Sequence, residues 1–147
     1  MKKLNNGVYD TIDPYLDDLN CIERLIKTYE EFGSLIIAFD FDNTVYDYYK
    51  KGYRYDRVIS LLKEAKELGF TLILFTCCDE SKYEEMRSHC KEVGIEPDYI
   101  NETPKNIPFG TPYKVYYNIL LDDRAGLSSA YNQLKTVIKL IKNSSEK

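Results

Sequence analysis

The sequence predicts an α/β fold in three layers, a parallel sheet with helices on both faces. Short, continuous apolar runs alternate with longer segments whose apolar residues recur at helical spacing, the order that builds strand–helix–strand units. The runs are apolar throughout, which marks strands covered on both sides. Each run also closes on a polar residue, and in open parallel sheets ligands bind beyond the carboxyl ends of the strands.

The elements follow in order. Leu16, Leu19, Ile22, Ile26, Tyr29 and Phe32 form the first helical stripe, with Asp13-Pro14 as cap and first turn and Gly33 as stop. Leu35 to Phe39 is the first strand and ends in Asp40. Val58, Leu61, Leu62, Ala65 and Leu68 make the second stripe, starting near Tyr55 and closed by Gly69. Phe70 to Phe75 is the next strand, ending at Thr76. Asp79 caps a helix that reaches about Val93 and is ended by Gly94. A short strand is expected near Tyr99-Ile100, and residues 101 to 113, with three prolines and a glycine, read as loop. Asn118 to Leu121 is the last strand and ends in Asp122-Asp123. The final helix carries Leu127, Ala130, Leu134, Val137, Ile138 and Ile141.

A length of 147 residues fits one domain, read as a helical extension over 1–33 and a core over 34–147. With 44% hydrophobic and 30% charged residues, the chain belongs with globular domains. A net charge of −4 argues against coating nucleic acid, although a nucleic-acid end stays among the candidate substrates. No run approaches the ~20 apolar residues of a membrane span. Asp10, Asp13, Asp17 and Asp18 stand where a signal peptide would be apolar, so a cytoplasmic protein is expected. The cysteines, Cys21, Cys77, Cys78 and Cys90, form no disulfide framework and are expected to be reduced. Cys77, Cys78, His89 and Cys90 lack the tight spacing of a structural zinc site.

The chemistry gathers at the strand ends. Asp40, Asp42 and Thr44 follow the most apolar run, and Asp122-Asp123 close another. Carboxylates at the end of a buried strand need neutralising, and a divalent cation is the usual partner. A bland alternative is that each pair caps the turn after it. Two such pairs, brought side by side, make instead the oxygen-rich site that magnesium prefers.

Asp-x-Asp-x-Thr-Val after one strand, Thr76 after a second, a lysine, and Asp-Asp after a later strand are similar to the haloacid dehalogenase (HAD) superfamily of phosphotransferases. The resemblance spans about Leu35 to Tyr131 and is strongest to small capless members of bacteria and phages. It implies a three-layer α/β/α Rossmann-like fold and a Mg2+-dependent phosphohydrolase acting on a small phosphorylated metabolite, a nucleotide or phosphosugar. Asp40 would be the nucleophile and Asp42 the acid and base. The metal would sit on the Asp40 carboxylate, the Asp42 main-chain carbonyl and Asp122, with Asp123 holding a metal-bound water or orienting Lys114. Thr76 would hydrogen-bond the phosphoryl group, and amides around Phe41 and Asn43 would complete the cradle. Tyr46 and Cys77 are the remaining expected substrate contacts. Lys114, eight residues before Asp122, is favoured over Lys105 as the phosphate-binding lysine. Many small relatives carry arginine where this chain has Cys78. Thr44 is expected to tie the turn after Asp42.

Only about a dozen residues separate Asp42 from the next helix, enough for a flap but no cap domain. The site is expected to be open unless a second copy of the chain covers it. In the flap Tyr46, Tyr48, Tyr49, Tyr53 and Tyr55 mix with Lys50, Lys51 and Arg54. They either stack a nucleobase or sugar, or simply cover the sheet end. His89 reads as a surface or boundary residue. Two rival readings remain: a phospho-receiver module, disfavoured because its acid pair would come first in the chain, and a catalytically idle binding module.

Overall fold

The computed structural model describes residues 13–147. Expectations placed on residues 1–12, Asp10 among them, lie outside that range. Four strands, β1 (Ile36–Phe39), β2 (Thr71–Leu74), β3 (Tyr99–Ile100) and β4 (Ile119–Leu121), form one parallel sheet in the order β3-β2-β1-β4. Four helices accompany them: α1 (Asp18–Phe32), α2 (Asp56–Glu67), α3 (Tyr83–Glu92) and α4 (Leu127–Ser145). This is the Rossmann-like α/β fold that the alternating pattern predicts.

The strand order positions the site. From β1 the chain steps outward to β2 and β3, then returns to place β4 on the other side of β1. The reversal falls between β1 and β4, and an open sheet presents its ligand crevice at that point. Register aligns the strand ends, since Phe39 lies beside both Leu74 and Leu121. The amide of Asp40 then bonds the Leu121 carbonyl at 2.9 Å, and the Phe75 amide bonds the Phe39 carbonyl at 2.9 Å.

The two faces of the sheet are covered differently. Ile37, Phe39, Leu72, Leu74, Ile119 and Leu121 share one face, and the buried side chains of the helices join their cluster. Ala38 and Ile73 lie on the other face beneath Val115 and Tyr117 of the segment 101–118. Around them Ile36, Phe75 and Leu120 stay half-buried, so the third layer is thin. No helix among the described residues is long and apolar enough to cross a membrane.

The first helix is part of this core. Ile22, Leu25 and Ile26 are buried, and the Arg24 guanidinium donates to the Asn118 carbonyl at 2.9 Å, just before β4. Asn118 in turn accepts the Ile36 amide on its side-chain oxygen at 2.7 Å. The expected cap needs correcting. Asp13-Pro14 opens a separate 3₁₀ turn over Pro14–Leu16, and Asp17 caps α1 by accepting the Leu19 amide at 2.9 Å. Asp17 has the extended backbone that lets a cap carboxylate reach forward, and Asp13 is too far upstream. Gly33 ends the helix at φ +72, a conformation that favours glycine.

Replacing Leu25 by alanine should cost about 2–5 kcal/mol, because the side chain is fully buried between α1 and the rest of the core. Denaturant unfolding checks this. A cost under about 0.5 kcal/mol would mean that α1 is a dispensable surface element.

Candidate active site

Three carboxylates converge at the switch point. Asp40 leaves β1, Asp122 and Asp123 leave β4, and one oxygen from each lies within 4.8 Å of the others. Thr44 locks them together from below. It is fully buried; its hydroxyl donates to Asp40 Oδ2 at 3.4 Å and accepts the Asp123 amide at 3.1 Å. The sequence predicts a tie for the turn after Asp42, and the hydroxyl instead bridges two strand ends. Asp122 is steadied by the turn that follows it, accepting the Arg124 amide at 2.9 Å.

The charge in this cluster is unbalanced. Burial, the neighbouring Asp122 carboxylate and a hydrogen bond that protonated Asp40 donates to Asp123 push Asp40 up to about 7, against a single lowering contact from the Phe41 amide. Burial and Asp123 also raise Asp42. No lysine or arginine pairs with the cluster: the ion pairs among the described residues are Arg54–Asp56 and Lys142–Glu64. Hard oxygen donors, crowded and lacking a counter-charge, fit a divalent cation of the magnesium class.

Asp42 stands apart from the trio. The Phe41 carbonyl accepts the amides of Thr44, Val45 and Tyr46, so the chain turns sharply after β1. Asp42 is among the residues lining a neighbouring cavity of ≈ 530 Å³. Phe41 is buried, and its ring stacks on Tyr46 at 4.9 Å. Tyr46 lines the same cavity. The amide of Asn43, expected in a phosphate cradle, donates instead to the Tyr46 carbonyl at 2.7 Å and is closed within the turn.

Thr76 follows β2 at the same edge, and its hydroxyl oxygen accepts the Cys78 amide at 3.1 Å, which leaves the hydroxyl proton to donate. Cys77 is exposed, and Cys78 rather than Cys77 lines the cavity. Lys114 is exposed on the segment 101–118 and makes no ion pair with Asp123, contrary to the expected orientation. Lys105 lines a separate cavity formed by that segment. The cysteines are free, and Cys90 is buried, its thiol pushed up to about 12 by desolvation.

Two participants escaped the sequence reading. Asn101, at φ +54, accepts the Thr76 amide at 2.8 Å and donates to the Thr76 carbonyl at 2.7 Å and to the Tyr83 hydroxyl at 2.9 Å. It fixes the Thr76 backbone as a strand partner would. His89 is the boundary residue expected, but its ring stands edge-on to both Phe41 and Tyr46, at 5.5 and 5.1 Å. Its Nε2 is buried without a hydrogen-bond partner.

No family model and no curated protein matches this chain. A solved structure of a conserved protein from Bacteroides thetaiotaomicron is similar in fold, with a TM-score of 0.56. The two share 22% identity over 76% of this chain and 92% of that one. At that identity the likeness shows the parallel α/β fold.

Because burial and repulsion raise Asp40, the metal-free fold favours its protonated form. That contribution is complete below about pH 4, the ordinary carboxylate value, and is lost as the pH rises through about 7. Asp40→Asn should therefore raise the melting temperature of the metal-free protein at pH 8 by about 2–4 °C and leave it nearly unchanged at pH 4. Thermal melts with and without chelator check this; equal shifts at both pH values would remove the repulsion argument. Thr44→Val should cost about 1–3 kcal/mol by leaving the Asp123 amide without its partner, which denaturant unfolding reads directly.

Proposed function

We propose that the protein is a Mg2+-dependent phosphomonoesterase of the HAD type, acting through an aspartyl-phosphate on Asp40. The observation that carries this reading is the convergence of Asp40, Asp122 and Asp123, with Asp42 bordering an adjoining cavity. An acid cluster serving only as turn caps has no reason to gather side chains from two separate strands.

In this reading an Asp40 carboxylate oxygen attacks phosphorus while the bond to the leaving oxygen breaks. Asp42, raised by burial and by Asp123, delivers its proton to that oxygen. Water then attacks the phosphorus of the aspartyl-phosphate, Asp42 takes a proton from it, and the bond between Asp40 and phosphorus breaks. Asp40, Asp122, Asp123 and the Asp42 carbonyl would hold the cation. Magnesium, when bound there, supplies the positive charge that lets an anionic nucleophile approach an anionic phosphoryl group. The Thr76 hydroxyl, aimed by Asn101 through the backbone, donates to a phosphoryl oxygen. Lys114 is the cation this reading assigns to the phosphate, reaching it from the segment 101–118.

The test is phosphatase turnover over nucleotides, phosphosugars and an aryl phosphate with magnesium present. Asp40→Asn should lower kcat more than about 1000-fold, and Asp42→Asn by about 100- to 10,000-fold. Chelation should abolish turnover, and added magnesium should restore it. Activity that survives Asp40→Asn or chelation would overturn the assignment.

A further inference from the structure

The cavity beside the aspartates divides the site into two sides. Asp42 lies in its wall, whereas Asp40, Asp122 and Asp123 do not. On the phosphatase reading, the residue that protonates the departing oxygen borders the cavity, and the residue that attacks phosphorus does not. Whatever fills the cavity is the part of the substrate that leaves.

The wall favours a flat, apolar-faced occupant. Phe41 and Tyr46 stack at an interplanar angle of 17°, and His89 stands at 85° and 82° to them, so the three rings brace one another. Met86, buried on α3, adds a polarisable thioether. Rings held this way lose little freedom when a ligand packs on them. The volume of ≈ 530 Å³ lies within the range of small-molecule sites.

Charge and hydrogen bonding narrow the class. Asp42, Glu85 and Glu92 in the wall oppose Lys50 and Lys82, a nearly balanced set that offers a polyphosphate chain no excess positive charge. Nε2 of His89 is closed off behind this wall, so the ring offers the occupant no hydrogen bond from that atom.

We propose that this cavity receives the leaving group of the substrate and that the group is a nucleoside, its neutral heteroaromatic base lying against the rings. The proposal rests on the phosphatase reading above. It is tested by calorimetric titration of the Asp40→Asn protein, with magnesium, using adenosine monophosphate and glucose 6-phosphate as probes. The nucleotide should bind at least about tenfold more tightly. Ser88→Trp, an exposed position whose new ring would fill the cavity, should weaken nucleotide binding at least about tenfold. Tyr46→Leu, which removes one of the three rings, should do the same.

Turnover of acetyl phosphate by the wild-type protein reports on the phosphatase reading separately, since its leaving group is too small to occupy the cavity. Acetyl phosphate hydrolysed while the two probes bind equally overturns the cavity assignment and leaves the phosphatase reading standing. Selective nucleotide binding with no turnover of any phosphate overturns the hydrolase reading and, with it, the leaving-group role.

Discussion

Three carboxylates whose oxygens approach within 4.8 Å repel one another, and the rest of the chain is arranged to keep them there. Folded domains are stable by only about 5–15 kcal/mol, so such repulsion must be offset locally. Backbone bonds clamp β1 to its neighbours on both sides, as between the Asp40 amide and Leu121. Thr44 then joins the two loops that carry the acids through a single hydroxyl. A cation would relieve the strain that these contacts contain.

The turn at Phe41 does as much for the chemistry as the acids do. In a continued strand, residues 40 and 42 would point to the same face and Asp42 would add to the crowd. With three amides bonded to the Phe41 carbonyl, the strand ends at once and Asp42 is diverted to the cavity. Asp40 and Asp42 are two residues apart in the chain, yet one joins the acid trio and the other borders the cavity. The aromatic packing of Phe41, Tyr46 and His89 holds that division.

The strands and acids were legible because burial and charge are written in residue type. A continuous apolar run ending in aspartate, met twice, placed Asp40 and Asp122 at one edge before any coordinates. What escaped the sequence depends on partners distant in the chain. Thr44 could be seen tying its own turn, but its bond to the Asp123 amide spans 79 residues. Asn101 sits in a loop-like stretch that says nothing of Thr76, 25 residues away. His89 gains meaning only when α3 folds against the flap. Asp13 and Asp17 are equally good caps by type, and backbone geometry chose between them. Lys114 had the right spacing to Asp122, but spacing along an irregular segment fixes no direction in space.

β4 is an edge strand of three residues, and it delivers two of the three aspartates. Among the described residues its outer side has no neighbouring strand, so it is held by β1, by α4 and by the contact from Arg24 to Asn118. Fraying of this short ribbon would scatter the acids and uncover Ile119 and Leu121 together. The acid constellation is thereby tied to the burial of the same short strand that carries it, and loosening one loosens the other.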